Sequence, residues 1–428
     1  MNIRRNLCTL IGSRWKSFFY WLDCKRYANA VDTPPEISPD IPEPVLPPVP
    51  PIPKPKKKMH ICKNTVADTG YIVGYVPGDL SSLVSPFKGG HFNYKDWDNS
   101  ADLMAKFGVN ATRFFLTCTE DPWTLHNYFI PFKKQAPNTY VYDLTEFDPD
   151  MIEGLICRLE SFWERKITTV ICIVTGLKSA RWQFTTWHGS RNVNGTTTTL
   201  KMFMQDKKTI GVFDDVLKKL VKTFDNEYVI WELINEPTGQ VFGNVQLANW
   251  CRGRMEKLHK LGVPYKRIAI EKWDSSQIIG LLENEPWMFW HGVNHLGSFQ
   301  RYLKPGTEMK DEFYDKHPRI CADSDGADSD FPGRGLKGAR WGDVLRRASS
   351  WDMNRGLKYD HAHGGMGWMI MSAAAWLGLG NYPDYDTWAD IAVNGLTEKQ
   401  CKKLGVEYKY NKQSELRAVD NAVKEIFK

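Results

Sequence analysis

Short apolar runs alternate with helix-period stretches along most of the chain. The runs are rich in β-branched and aromatic residues, as is typical of strands, and occur at eight places: "YIVGYV" (71–76), "NATRFFL" (110–116), "ITTVICIV" (167–174), "EYVIWELI" (227–234), "RIAIE" (267–271), "WMFWHGV" (287–293), "RICAD" (319–323) and "GWMIMSA" (367–373). Stretches with apolar residues three and four positions apart lie between them: "NSADLMAKFG", "DMIEGLICRLESFWER", "GVFDDVLKKLVKTF", "LANWCRGRMEKLHKLG" and "GDVLRRASSWDMNRG". Strands that alternate with helices predict an α/β fold with a parallel sheet, and eight repeats favour a (β/α)8 TIM barrel. A doubly wound open sheet is the structural alternative.

The first 58 residues lack this pattern. The segment 34–55, "PPEISPDIPEPVLPPVPPIPKP", holds eleven prolines and no glycine, so it predicts an extended, semi-rigid spacer. Before it, the chain has the basic start and the "ANA" of a signal peptide, but Arg14, Lys16 and Asp23 interrupt the apolar core that such a peptide needs. We predict three parts: a head or attachment segment (1–32), a proline-rich linker (33–58) and a large globular body (59–428).

Composition narrows the function classes. The net formal charge is only +6, without a basic helix or a ladder of stacking aromatics, so no nucleic-acid partner is expected. The nine cysteines are scattered, with no CxxC pair and no zinc-ligand spacing; we interpret them as buried free thiols and expect no metal and no cofactor. No apolar run approaches the roughly 20 residues of a transmembrane helix.

The sequence Asn-Glu-Pro occurs twice, in two different settings. Asn235-Glu236-Pro237 follows a predicted strand, whereas Asn284-Glu285-Pro286 precedes one. In a (β/α)8 barrel the loops after the strands build the active face, and the loops before them form the opposite end. We therefore expect Glu236 at the active face and Glu285 in a solvated turn.

The body resembles a glycoside hydrolase of clan A, closest to the family 5 cellulase and mannanase type. The resemblance is carried by "WELINEP" at the end of the fourth strand and spans about residues 65–390. It implies that Glu236 is the general acid/base and that Asn235 binds the sugar 2-hydroxyl. Arg113, ending the second strand, His291, on the sixth strand, and Trp376, after the last strand, are similar to family substrate-binding positions.

Hydrolysis of a glycosidic bond needs a second carboxylate opposite the acid, either as nucleophile or as base for water. The family has a glutamate at the end of the seventh strand, but this chain reads "HPRICADSDGADSDFPGRG" there. We predict Asp325 as the partner, since Gly326 resembles the glycine that closely follows the family's nucleophile. Asp323, on the same side of an extended strand, is the second candidate, and Glu271 is ranked third. A calcium loop in this segment is disfavoured, because Asp328 and Arg334 stand where an EF-hand has glycine and glutamate.

Aromatic side chains on the loops after strands could stack on the apolar faces of sugars. Trp182, Trp187 and His188 follow the third strand, and Trp273 follows the fifth; we expect Trp187, His188 and Trp273 to bind substrate. The resulting hypothesis is an endo-glycosidase that cuts a β-linked polysaccharide or oligosaccharide. Its body is expected to be monomeric and tethered through the head, with secretion or display on a surface or particle favoured. The alternatives are a carbohydrate-binding pseudoenzyme and a displayed attachment protein.

Overall fold

A computed structural model describes residues 59–76, 94–116, 130–136, 139–174, 182–234, 239–272, 290–293, 319–324, 357–358, 361, 367–371, 385–404 and 414–428. The predicted head and linker lie outside these residues, so the division of the chain into three parts stays a prediction. Within the described residues, no helix is both long and apolar enough to cross a membrane.

Eight parallel strands form one sheet. They are β1 (Ile72–Val76), β2 (Ala111–Phe115), β5 (Thr168–Cys172), β6 (Val229–Glu232), β7 (Ile268–Lys272), β8 (Trp290–Val293), β9 (Arg319–Ser324) and β10 (Gly367–Met371). The hydrogen-bonded order is β1-β10-β9-β8-β7-β6-β5-β2, and β2 pairs again with β1, so the sheet closes on itself. Each of the eight predicted strands is present, and the α/β class with a parallel sheet is confirmed. We call these eight strands the closed sheet.

The described helices are α1 (Val66–Thr69), α2 (Tyr94–Lys106), α3 (Pro149–Trp163), α4 (Lys207–Phe224), α5 (Gly239–Phe242), α6 (Asn244–Lys260), α7 (Tyr385–Asn394), α8 (Glu398–Leu404) and α9 (Glu415–Ile426). Four of them, α2, α3, α4 and α6, confirm predicted helices. The fifth predicted helix, at 342–356, lies outside the described residues. The helical segments α7 to α9 were not among the predicted ones.

Local sequence explains where the long helices begin. Asp148 accepts hydrogen bonds from the backbone N–H groups of Asp150 and Met151, and Pro149 occupies the first turn of α3, where its missing N–H costs nothing. Asp206 caps α4 in the same way, through Thr209. The apolar stripes of both helices are buried.

The two faces of each strand carry different side chains because orientation alternates along a strand. Phe114 of β2 packs edge-to-face on Phe162 of α3, with ring centroids 5.6 Å apart, so it faces the helices. The indole N–H of Trp231 in β6 donates to Asp225, just beyond α4, and also points outward. Their neighbours along the chain, Arg113 and Glu232, therefore point to the interior of the closed sheet.

The sheet closes where β1 meets β10. Ile72 is in register with Gly367, and Val76 with Met371. Gly367 has φ +148°, and a Cβ there would overlap the backbone and side chain of Ile72. Glycine is therefore required at the start of β10 for the two strands to approach. On the outer side of β1, the hydroxyl of Tyr75 donates to the buried carboxylate of Glu415, the first residue of α9.

A small unit not predicted from the sequence is attached beyond the ends of β2 and β5. It consists of the antiparallel strands β3 (Phe132–Lys134) and β4 (Tyr142–Phe147) and of the segment 182–204, which contains three single 3-10 turns. Tyr142 forms a β-bridge with Asn192, the N–H of Val193 donates to the Tyr142 carbonyl at 3.0 Å, and the N–H of Leu144 donates to Asn194 at 2.7 Å. We call this the hairpin–loop unit.

Candidate functional site

The strand limits separate the two Asn-Glu-Pro sequences. β6 ends at Glu232, so residues 235–237 follow the carboxyl end of the fourth strand of the closed sheet in chain order. β8 begins at Trp290, so residues 284–286 precede a strand. Asn235 and Glu236 themselves lie outside the described residues, and their predicted roles stay predictions.

Arg113 lies in the middle of β2, and its side chain is fully buried (0% exposed). Its Nε donates to Oε2 of Glu232 at 2.8 Å, and its Nη2 donates to Oε1 at 2.5 Å. Glu232 is also 0% exposed, so the two charges form a two-point ion pair inside the closed sheet. Such paired geometry is the strongest form of arginine–carboxylate contact. Buried in this way, Arg113 contacts a carboxylate of the protein, and its contact with substrate stays a prediction.

Glu232 was not singled out from the sequence. It lies four residues before Glu236 in "WELINEP", and its burial could have been suspected from a carboxylate at the end of an otherwise apolar strand. Its partner could not be identified from the sequence, because Arg113 is 119 residues away. The register explains the meeting: Arg113 is level with Val170 and Ile230, and Cys172 with Glu232, so the pair spans β5 diagonally.

Three candidate residues lie on the strands β7, β8 and β9. Glu271 of β7 is in register with His291 of β8, while Asp323 is the fifth residue of β9. Only the backbone is described at these positions. Asp325, Trp273 and Trp376 lie outside the described residues. The pairing of Glu236 with either aspartate is therefore a prediction that the described residues leave open.

Trp187 is fully buried and packs within a group of aromatic rings. Its ring centroid lies 6.1 Å from that of Phe132, 5.8 Å from Phe203 and 5.1 Å from Phe213. Trp250 of α6 completes this group, at 5.2 Å from Phe213. The ring of Trp187 thus joins the hairpin–loop unit to α4, and its faces are covered by protein. This position favours a packing role over the substrate contact predicted from the sequence.

His188 is partly buried beside Trp187 and has local hydrogen bonds. Its Nδ1 lies 2.7 Å from the hydroxyl of Ser190 and accepts a hydrogen bond from the Ser190 backbone N–H. His188 thereby caps the turn 189–191. Burial, together with the nearby positive charge of Arg191, lowers the pKa of His188 below its ordinary value. The imidazole also packs edge-to-face on Trp182, with centroids 5.7 Å apart. These contacts give His188 a role in shaping the loop.

The described cysteines Cys62, Cys157, Cys172 and Cys251 are free thiols, as expected, and all but Cys157 are buried. Burial raises the pKa of Cys62 to about 11 and that of Cys251 to about 12. A thiol with so high a pKa forms almost no thiolate at neutral pH, so neither residue is suited to act as a nucleophile.

No family model matches the chain, and no curated protein matches it. Solved structures that are similar to this chain include three mannanases. The endo-beta-1,4-mannanase of Thermotoga petrophila is 12% identical, with 83% of this chain and 77% of that chain covered and a TM-score of 0.46. The endo-1,4-beta-mannanase of Rhizomucor miehei is 9% identical, with 70% and 85% covered and a TM-score of 0.45. The beta-mannanase of the blue mussel Mytilus edulis is 11% identical, with 75% and 91% covered and a TM-score of 0.44.

These structures are glycoside hydrolases, the class of enzyme that the sequence resembles.

Proposed function

We propose that the body is an endo-acting glycoside hydrolase on a (β/α)8 barrel, with Glu236 as general acid/base. The proposal rests chiefly on one observation: the fourth strand in chain order ends at Glu232, so that Asn235 and Glu236 follow its carboxyl end. In closed parallel sheets of eight strands, the loops at the carboxyl ends carry the chemistry. The closed order of the strands supports the barrel.

The interior of the closed sheet carries charged side chains near this end of β6. A charge enclosed in a protein is costly unless it is paired, and Glu232, the last residue of β6, is buried in an ion pair with Arg113. We expect Glu236, four residues after Glu232, to lie at the carboxyl end of the sheet, where it can protonate a glycosidic oxygen.

The proposed reaction uses two carboxyl groups. Glu236 donates its proton to the glycosidic oxygen as the bond to the anomeric carbon breaks. Asp325, or failing that Asp323, either attacks the anomeric carbon or removes a proton from the attacking water. The substrate is a β-linked polysaccharide or oligosaccharide, by resemblance to the cellulase and mannanase type.

The experiment compares Glu236→Gln with Glu285→Gln on soluble β-1,4-linked glucans and mannans, with release of reducing ends as the readout. Glu236→Gln keeps the shape of the side chain but cannot deliver a proton, so turnover should be abolished. Glu285→Gln should hydrolyse substrate like the unmodified protein. Normal turnover by Glu236→Gln would overturn the assignment.

The second candidate is a carbohydrate-binding protein without catalysis. It is favoured by one observation: no glutamate occurs between Arg319 and Arg334, where the family carries its nucleophile. It predicts that oligosaccharides bind with unchanged affinity to the unmodified protein and to Glu236→Gln, and that neither releases reducing ends. Turnover that depends on Glu236 would exclude it.

A further inference from the structure

Glu236 belongs to a short stretch of chain between two fixed ends. Residues 182–234 and 239–272 are each described without a break, so only residues 235–238 separate Ile234 from Gly239. Glu236 is two residues from Ile234 and three from Gly239, so its Cα lies within about 7 Å of the first and about 11 Å of the second. Whatever holds these two ends therefore also limits the position of Glu236.

The end at Ile234 is held by the closed sheet. Leu233 and Ile234 come directly after β6, and both are fully buried. The N–H of Leu233 donates to the carbonyl of Ala269 in β7 at 3.0 Å, so hydrogen bonding between the two strands continues beyond Glu232. This end is therefore as fixed as the sheet itself.

The end at Gly239 is held by the short helix α5. Its last residue, Phe242, is 2% exposed and belongs to the core, and Val241 packs against the core as well. The helix lies against the 3-10 turn Leu200–Met202 and against α6. Four residues form too short a helix to be stable alone, so the position of α5 depends on these contacts.

The segments that support α5 are themselves packed together. Phe203 directly follows the turn at 200–202, and Trp250 lies in the second turn of α6; their ring centroids are 6.0 Å apart. Both rings also contact Phe213 of α4, at 6.1 Å from Phe203 and 5.2 Å from Trp250. All three side chains are buried, so the turn, α4 and α6 form one support for α5.

Gly243 joins α5 to α6 in a backbone conformation that favours glycine. Its φ is +78° and its ψ 138°. The residues that begin α3, α4 and α9 have φ between −73° and −67°, and each caps its helix with a side-chain oxygen: Asp148, Asp206 and Ser414. Gly243 has no side chain that could cap α6, so the conformation explains the glycine. A residue with a Cβ would be strained at this φ.

We propose that Phe242 and Gly243 are positioning residues for Glu236. Phe242 fixes one end of the stretch 235–238, and the conformation of Gly243 sets the direction in which α5 meets α6. This inference rests on the proposed function, in which Glu236 protonates the glycosidic oxygen. A displacement of about 1 Å in a catalytic group lowers turnover by up to about 100-fold, so this support governs the rate.

The first variant is Gly243→Ala, with Gly262→Ala as its matched control. Gly262 lies beyond the other end of α6, before β7, and has φ +101°. No atom lies within 4 Å of the place that a Cβ would take at either glycine, so each alanine strains the backbone without a collision. Both variants should lower Tm, but only Gly243→Ala should impair protonation by Glu236.

The readout is kcat/KM for two aryl glycosides, phenyl and 2,4-dinitrophenyl β-cellobioside, or the mannobiosides if mannan is the polymer hydrolysed. Phenolate needs a proton as it leaves, whereas dinitrophenolate departs without one. Gly243→Ala should lower kcat/KM for the phenyl substrate by about 10- to 100-fold, and that for the dinitrophenyl substrate by less than about 3-fold. A merely structural defect would lower both values equally.

Phe242 provides a second test, which remains if Gly243→Ala does not fold. Phe242→Ala should show the same loss on the phenyl substrate alone, and Phe242→Leu should retain most activity because a large apolar side chain still fills the site. Phe224 is the control, since it is 1% exposed and ends α4 before β6. Phe224→Ala should lower Tm without changing the ratio of the two kcat/KM values.

The outcomes separate this inference from the proposed function. Equal losses on both substrates, or no loss, in Gly243→Ala and Phe242→Ala would overturn the positioning role. If Glu236→Gln loses activity on the phenyl substrate alone and these variants do not, the proposed function stands and this inference fails. If Glu236→Gln hydrolyses both substrates normally, or the unmodified protein hydrolyses neither, the proposed function fails and the positioning role with it.

Discussion

The guanidinium of Arg113 and the carboxylate of Glu232 form a two-point ion pair inside the closed sheet, joining β2 to β6 across β5. Both side chains are enclosed, so each charge contributes to the compensation of the other.

Removing one member of this pair should be far more harmful than removing both. We expect Glu232→Leu to lower the free energy of unfolding by about 3–5 kcal/mol, because it takes the Glu232 carboxylate away from the buried charge of Arg113. The double variant Arg113→Met/Glu232→Leu should lose much less than the sum of the single losses. Urea unfolding of the four proteins in a double-mutant cycle measures the coupling.

The exposed pair Lys133–Glu146 provides the control. Its side chains are 58% and 57% exposed, and the same cycle should give a coupling of about 0–1 kcal/mol. Strict additivity at Arg113 and Glu232 would show that the two charges are not energetically linked.

The second carboxylate of the proposed reaction can be identified by substitution. Asp325→Ala should reduce turnover by orders of magnitude, and Asp323→Ala much less. If Asp325 attacks the sugar, azide should restore activity to Asp325→Ala and give a glycosyl azide of inverted configuration; if it activates water, the native product should form with inversion. Proton magnetic resonance of the fresh product distinguishes these cases. Full activity of both variants would make Glu271 the next candidate for the second carboxylate.

Trp187 should matter for stability and not for substrate affinity. Trp187→Ala removes a buried ring from the aromatic group around Phe203 and Phe213, so the free energy of unfolding should fall by about 3–5 kcal/mol. Trp187→Phe should cost less. A raised KM in Trp187→Phe with unchanged unfolding would restore the substrate-binding role predicted from the sequence.

Asp206, which caps α4, should make the stability of the body depend on acid pH. Hydrogen bonds from the hydroxyl and backbone N–H of Thr209 lower the pKa of Asp206. The folded protein therefore takes up this proton at a lower pH than the unfolded chain does. The stabilisation is present above the ordinary aspartate value of about 3.9 and is lost as the pH falls through the lowered folded value.

Asp206→Ala should cost about 1 kcal/mol at neutral pH, the usual contribution of a helix cap. This difference from the unmodified protein should shrink as the pH is lowered through the acid range. Asp206→Asn keeps an acceptor without the charge, so its loss should be smaller and less dependent on pH. Chemical unfolding at a series of pH values tests both; a constant cost of Asp206→Ala would contradict the assignment.

Removal of residues 1–58 should leave the unfolding of the body unchanged. Few contacts are expected across a proline-rich spacer, since such a segment cannot contribute to a helix or an inner strand. Thermal unfolding of the full chain and of residues 59–428 provides the comparison. A large fall in Tm on truncation would show that the head packs on the body.

The strands were predictable because inner strands of a parallel sheet are buried on both faces and read as apolar runs. The segments "TTVIC" and "VIWE" illustrate this. The strands β3 and β4 were missed since "FKK" and "YDLTEF" are short and largely polar. Strand β4 also contacts Asn192 and Asn194, which are distant in sequence, and no local pattern reveals these contacts.

The candidate site was less predictable than the fold. The position of Asn235-Glu236 after a strand could be inferred from chain order alone. The burial of Trp187 could not, because an aromatic residue in a polar loop has the same local sequence whether it faces solvent or Phe213. Arg113 illustrates the same difficulty: its type was informative, but its partner depends on the register of three strands.

The pairing of β1 with β10 has a consequence for synthesis of the chain. The strand that contains Ile72 can gain this neighbour only after Gly367, nearly 300 residues later, has been synthesised. During translation, β1 therefore remains an uncovered edge for most of the time that the body is being made, and such edges can pair with other chains. Closure at so great a sequence separation also predicts slow folding. If translation ends before β10 is complete, that edge of β1 stays exposed. Truncated products should therefore be the species that aggregates in a cell that makes this protein.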